Sequence, residues 1–220
     1  MMKGASPVHG LPGRFLSIEG IDGAGKSTHI EWLAERCRES GREVIVTREP
    51  GGTPLAERLR ELLLHEAMDI QTELLLVFAA RREHVSALIR PALARGAIVI
   101  CDRFTDSTHA YQGGGRGLAA DWIDQLEAVV LAGLRPDRTY LFDLPADLAA
   151  QRRAAARSAD RFEQEDVAFF ERVRAGYARR VSGNPDRFLT LDGRESIATL
   201  RGQMARDLVS LGLVRGMAAS

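Results

Sequence analysis

Lysine is nearly absent from this chain. Of 30 basic residues only Lys3 and Lys26 are lysine, and the rest are arginine. A compact, flexible ammonium and a planar guanidinium fork are not interchangeable. The one lysine in the body of the chain therefore marks a place where geometry matters. Asparagine is rarer still: Asn184 stands alone and Pro185 follows it. That argues against the Asn-Lys-x-Asp base-reading segment of a GTPase switch. Cysteine is limited to Cys37 and Cys101, each inside an apolar periodic segment. Buried free thiols in a reducing compartment are expected, not a disulfide or metal site. No stretch reaches the roughly 18 uninterrupted apolar residues of a membrane helix. Residues 1–13 lack an apolar signal core. A soluble cytoplasmic protein is expected, with a flexible leader at 1–13 and a tail at 214–220. Charge of one sign is not in excess either, since 30 basic residues balance 30 acidic ones. That excludes a general affinity for nucleic acid or acidic membrane. No G-x-S-x-G, H-E-x-x-H or C-x-x-C occurs, and His9, His29, His65, His84 and His109 show no ligand or triad spacing.

What is present begins around the retained lysine. Gly20-Ile21-Asp22-Gly23-Ala24-Gly25-Lys26-Ser27 fits the G-x-x-x-x-G-K-[ST] pattern of a phosphate-binding loop. Before it, Arg14–Glu19 reads as a short strand. After it, Ile30, Leu33, Ala34 and Cys37 recur at helical spacing. Strand, glycine loop and helix make an anion site, with loop N–H groups and the helix N-terminus facing phosphate oxygens. Residues 20–28, from Gly20 to Thr28, are the candidate nucleotide-phosphate contacts. Ser27 carries a hydroxyl suited to Mg²⁺.

Four more apolar runs read as strands: 44–47, 97–101, 139–143 and, more weakly, 187–191. Helical patterns fill the gaps at about 54–65, 70–95, 121–132, 146–157, 165–182 and 195–212. Continuous β-branched runs alternating with helices imply a buried parallel sheet with helices on both faces. Ligands of such a sheet gather at the carboxyl ends of its strands. Asp22, Arg48-Glu49, Asp102-Arg103 and Asp143 are the polar residues placed there. The chain is read as one domain over 14–213.

Further motifs fall at those ends. An Asp closing an apolar strand suits a Mg²⁺-linked carboxylate, which makes Asp102 a candidate, and Arg103 beside it can fork onto a phosphate. Arg48-Glu49-Pro50-Gly51-Gly52-Thr53 is a turn-rich segment whose glycines allow close backbone approach; a plain loop is equally compatible. Phe78 shares a helix face with both Arg81 and Arg82, a site for stacking and hydrogen bonding a base, or a core ring beside surface arginines. The segment Ser107 to Gly117, rich in glycine, reads by itself as a mobile loop. Arg152, Arg153, Arg157 and Arg161 crowd a segment poor in large apolar residues. It is either a solvated helix end or a closing lid at about 152–163.

In this order, the motifs resemble thymidylate kinase of the bacterial type, from Phe15 to about Leu213. The matching segments are residues 19–28, Thr47-Arg48-Glu49-Pro50-Gly51-Gly52-Thr53, Asp102-Arg103-Phe104, Ala110-Tyr111-Gln112-Gly113-Gly114-Gly115-Arg116-Gly117 and Asp160-Arg161-Phe162-Glu163. The first is common to many nucleotide-binding proteins; the second and fourth are far more specific. The resemblance implies a three-layer α/β/α P-loop NTPase fold with a five-stranded parallel sheet and a short lid. It implies ATP-dependent, Mg²⁺-assisted phosphorylation of dTMP to dTDP by a homodimer. Lys26 and Ser27 would serve ATP and metal, and Asp22 would lie near the sugar 3′-hydroxyl. Asp102 would assist Mg²⁺ and Arg103 would hold the dTMP phosphate. Arg48, Glu49, Pro50, Ser107 and Gln112 would border the acceptor. Phe78 would stack on thymine, an Arg on its helix would bond O4, Thr108 would meet the base edge, and Tyr111 would crowd the 2′ position. The phosphate loop carries no arginine, so Arg153 or Arg157 would supply one from the lid. Counting back from Pro91-Ala92-Leu93 gives Arg81 the base-reading place, with Val77 four residues before it. Counting forward from Phe78 gives Arg82. A related P-loop kinase for another nucleoside monophosphate would share the ATP half and differ at Phe78, Thr108 and Tyr111.

Overall fold

The computed structural model describes residues 11–154, 161–162 and 164–215. Five strands form one parallel sheet: β1 Arg14–Glu19, β2 Val44–Arg48, β3 Ile98–Asp102, β4 Arg138–Asp143 and β5 Phe188–Asp192. Their order is β2-β3-β1-β4-β5. Chain direction through the sheet reverses beside β1, so the crevice for a ligand opens outside its carboxyl end. Register brings the polar strand ends together there, with Asp102 opposite both Ile18 and Arg48.

The strands are apolar because both faces are covered. Side chains alternate between faces. Leu16 and Ile18 join a core with Leu33, Tyr140, Phe142, Met204 and Leu208. Phe15 points the other way, to Val85, Ile89, Val99 and Leu131. Around the sheet lie α1 Ser27–Arg38, α2 Pro54–His65, α3 Ile70–His84, α4 Arg90–Ala94, α5 Thr105–Thr108, α6 Ala120–Leu131, α7 Ala146–Ala154, α8 Val167–Gly183 and α9 Ile197–Ser210. Thr53, Asp69, Asp166 and Ser196 cap α2, α3, α8 and α9 with side-chain oxygens. The helix expected over 70–95 is continuous but not uniform. Val85–Ile89 winds as a π-helix between α3 and α4, just before Pro91, which has no N–H to continue a regular ladder.

Two expectations need revision. The segment read as a mobile loop is helical: α5 runs into a π-helical stretch over His109–Gly115 that packs along α8. Its glycines are there for closeness. A Cβ at Gly115 would fall 2.6 Å from the Phe169 ring, and one at Gly114 would fall 2.7 Å from the Arg172 carbonyl oxygen. The packed body also extends slightly beyond 14–213. Arg42 bonds the Pro12 carbonyl at 2.6 Å, and Val214 is buried in the main core. Of the expected lid, residues 155–160 and 163, including Arg157, lie outside the described residues, as do leader residues 1–10 and tail residues 216–220.

Candidate active site

The phosphate loop leaves β1 at Gly20 and enters α1 at Ser27. No side chain caps the α1 N-terminus and no acidic residue sits in its first turn, which suits an anionic ligand. Lys26 is buried and folds back on its own loop, with Nζ donating to the carbonyl oxygens of Gly20 at 2.9 Å and Ile21 at 3.1 Å. Burial, together with the Arg103 guanidinium, lowers its pKa. α7 lies directly over the loop, so a Cβ at Gly23 would strike the Ala149 carbonyl oxygen at 2.5 Å. Arg152 of α7 comes near the loop, its Nη1 4.0 Å from where a Gly25 Cβ would stand.

Arg103 joins this loop to a second site. It sits in the left-handed backbone region with φ of 67°, a strained conformation for a long side chain that the surrounding contacts must hold. Its N–H bonds the Ile18 carbonyl at 2.9 Å. Its guanidinium donates to Asp22 Oδ1 at 2.6 Å, the Gly20 carbonyl at 3.0 Å and the Tyr111 hydroxyl at 3.1 Å. Tyr111 in turn donates to Asp22 Oδ2 at 3.0 Å. Burial alone would raise the Asp22 pKa; Arg103 and Lys26 outweigh it and hold the carboxyl well below the usual range. Asp22 is thus a charged hinge between the two cations.

Asp102 adds an anion whose charge acts on both Lys26 and Arg103. Its Oδ1 is buried with no hydrogen-bond partner, a costly state that a cation would relieve. Ser27 is exposed at the head of α1. A carboxylate oxygen and a hydroxyl are hard oxygen donors, the chemistry Mg²⁺ prefers, so these residues fit the metal.

Beneath Arg103 lies Glu19, fully buried. It accepts from the Phe104 N–H at 2.8 Å, Ser107 Oγ at 2.6 Å and the Tyr177 hydroxyl at 2.8 Å. Burial, with nearby Asp106, pushes its pKa up to about 7, against the pull of Ser107 and Arg103. Nothing in the sequence pattern singled this residue out.

Beside Arg103 opens a cavity of about 100 Å³, lined by residues that include Asp22, Glu49, Pro50, Arg81, Arg103 and Thr108. Ser107, Tyr111 and Gln112 line it as well. Arg81 is buried, bonding Glu49 Oε2 at 2.7 Å and Thr108 Oγ1 at 3.0 Å. Gln112 donates to the buried Glu73 at 2.7 Å, and Arg161 pairs with the same carboxylate at 2.8 Å. Arg161, within the segment expected to form the lid, is thereby anchored to α3.

Three expected contacts fall elsewhere. Phe78 does not line the cavity. It turns to Leu74 and Ile123 between α3 and α6, while Val77 lines the cavity with Arg81. Positions four apart share the cavity face, and Phe78 is rotated a further 100° toward α6. Arg82 is exposed and reaches the Val130 carbonyl at 3.4 Å, away from the cavity. Arg48 pairs with Glu57 at 2.9 Å instead of lining the cavity. Arg60, Leu63, Leu64 and Phe162 line it unforeseen. Spacing alone puts the three α2 residues on one face, the signal that could have found them.

A phosphate loop on one side of Arg103 and a side-chain-lined cavity on the other is the layout of a P-loop NTPase fold that serves a kinase. Comparison with known proteins narrows the class. A family model described as thymidylate kinase matches residues 18–203. Thymidylate kinase of Cupriavidus metallidurans is 57% identical over 201 residues, covering 91% of this chain and 100% of the relative. That of Bordetella petrii is 55% identical over 199 residues, covering 90% and 96%. The crystal structure of thymidylate kinase from Ehrlichia chaffeensis superposes with a TM-score of 0.73 at 36% identity, covering 90% of this chain and 99% of that one. This chain belongs to the thymidylate kinase family.

Proposed function

We propose that the protein transfers the γ-phosphoryl group of ATP to dTMP, forming dTDP. The observation that carries this reading is the cavity itself, whose lining includes the two guanidinium groups of Arg81 and Arg103. A pyrimidine monophosphate has a carbonyl for the first and a phosphate for the second. Pro50, Leu63 and Val77 supply apolar wall for the base. Tyr111, tied to Asp22 and Arg103, stands where a 2′-hydroxyl would crowd it, and Asp22 accepts from the 3′-hydroxyl.

On the donor side the loop from Gly20 to Thr28 wraps the ATP phosphates, and Lys26 exchanges its two carbonyl partners for phosphate oxygens. Ser27 and Asp102 would hold Mg²⁺, which would supply charge neutralisation to the phosphates. Arg103 holds the acceptor phosphate in line, so catalysis rests on positioning and charge stabilisation. The lid residues Arg153 and Arg157 enter this proposal from the sequence resemblance alone. A cytoplasmic homodimer is also proposed. Exposed Leu75, Trp122 and Val129 on the paired helices α3 and α6 support it, and no helix among the described residues is long and apolar enough to cross a membrane.

A coupled assay with ATP and dTMP, dUMP, dCMP and UMP tests the acceptor. Cytosine presents an amino group where thymine has O4, so Arg81 would face another donor. An unpaired buried polar group costs about 1–3 kcal/mol, so dCMP should be poorer by about tenfold or more. Equal kcat/KM for dCMP and dTMP would overturn the thymine site.

A further inference from the structure

His84 lies one turn beyond Arg81 on α3 and does not line the cavity. It is nevertheless part of a buried hydrogen-bond chain. Thr47 Oγ1 and His84 Nε2 are 2.7 Å apart, His84 Nδ1 and Glu49 Oε1 are 2.9 Å apart, and Glu49 Oε2 receives Arg81 Nε at 2.7 Å. Arg81 then donates to Thr108. All five side chains are buried, with His84 at 0% exposure. A carboxylate only accepts, so Nδ1 carries the proton. In the neutral ring Nε2 then accepts from Thr47. Both Glu49 oxygens and both His84 nitrogens are engaged by side chains. The loop backbone presses on this chain from outside. A Cβ at Gly52 would fall 2.4 Å from Thr47 Oγ1 and 2.5 Å from His84 Nε2.

We propose that His84 is a positioning residue for acceptor specificity: it fixes Glu49, which fixes the Arg81 guanidinium toward the base. The proposal rests on Arg81 being the base reader in the function given above. A buried guanidinium with several rotatable bonds selects a carbonyl over an amine only while its direction is held. Glu49 has two oxygens and could swing about its own torsions. The Nδ1–H bond removes that freedom, and Thr47 with Gly52 removes the freedom of the ring.

Two substitutions separate this from simple packing. In His84→Asn the amide nitrogen can stand near Nδ1 and keep the bond to Glu49. In His84→Gln the amide reaches the Nε2 position and loses it. Both are polar and neither meets ATP. Purified variants are assayed for KM of dTMP, KM of ATP, kcat, the dTMP-to-dCMP ratio of kcat/KM, and melting temperature. His84→Gln should raise the KM of dTMP about tenfold, the loss of one buried charged hydrogen bond. It should lower the dTMP-to-dCMP ratio by a similar factor. KM of ATP and saturated kcat should stay within about twofold, and His84→Asn should recover most of the dTMP affinity and selectivity. Equal behaviour of the two variants, or wild-type selectivity in His84→Gln, would overturn the proposal. Where either variant melts below the assay temperature, Thr47→Val, which frees the ring from behind, gives the same reading with a smaller shift. Wild-type enzyme that accepts dCMP as well as dTMP would instead sink the base-reading role of Arg81 itself.

Discussion

The molecule has two glycine-rich stretches, and they use glycine for opposite reasons. In the phosphate loop Gly23 and Gly25 have φ of 87° and 98°, backbone that side chains rarely adopt. Around Gly25 there is also room, the nearest atom being Arg152 Nη1 at 4.0 Å. In the stretch from Gly113 to Gly115 the backbone is π-helical without positive φ, and at Gly114 and Gly115 the space is filled by α8. The first set shapes a surface for a ligand; the second lets one helix lie against another. One should therefore fail in activity and the other in stability. Glu19 connects the two. It precedes the first loop, and its carboxylate grips Ser107 and Tyr177, one beside the second stretch and one on α8.

The largest test of this contrast is Lys26→Ala. Losing the cation nearest the transferring phosphoryl group should lower kcat by about 10³-fold. The melting temperature should hold or rise, because burial already lowers the Lys26 pKa. Lys26→Arg should also be poor, since its fork needs more room. Full turnover of the Ala variant, in a preparation free of host kinase, would end the phosphate-loop reading.

A matched pair sharpens the comparison next. Gly25→Ala meets open space but a forbidden φ, and its methyl points where phosphate must lie. It should lose about 100-fold or more in kcat/KM for ATP and about 1–2 kcal/mol of stability. Gly115→Ala meets the Phe169 ring at 2.6 Å and Val173 at 2.9 Å. It should lose about 1–3 kcal/mol of stability and leave the KM of ATP nearly unchanged. Denaturant melts and steady-state kinetics on both variants check this. The contrast is wrong if Gly115→Ala is as stable as wild type while Gly25→Ala keeps its activity.

What the sequence made legible follows the same division. Strands buried on both faces declare themselves as apolar runs, and the phosphate loop declares itself because local backbone geometry dictates local residues. The second glycine stretch looked mobile because its reason lies in Phe169 and Gly176, far along the chain. Phe78 and Val77 could not be told apart for a related reason. Spacings of three and four share a helix face until one knows where α6 and the cavity stand. His84 showed no partner spacing because Glu49 is 35 residues away. Arg152 comes within 4.0 Å of the Gly25 Cβ position, and only the docking of α7 decides that.

The smallest effect expected is a pH slope from Glu19, the link between the two regions. Folding raises its pKa from 4.5 to about 7, chiefly through burial. In the folded chain it keeps its proton up to about that value, whereas the unfolded chain releases it near 4.5. Between those limits the folded state binds the extra proton, so stability from this group falls as pH rises and levels off above about 7. Asp22 and Glu127 act in the opposite sense, since their pKa values are depressed, that of Glu127 to about 2. Their contributions are lost only in more acidic solution, below the window that matters here. Melting temperature measured from about pH 5 to 7.5 should therefore decline by several degrees more in wild type than in Glu19→Gln, about 2 kcal/mol in stability. The Gln amide can keep the Phe104 N–H bond through its oxygen, and the Ser107 and Tyr177 hydroxyls can turn to accept from its nitrogen. The variant should thus fold and isolate the charge. Parallel slopes in the two proteins would mean that Glu19 is ionised throughout, and that the link between the glycine regions is a fixed charge on Arg103 instead of a titrating one.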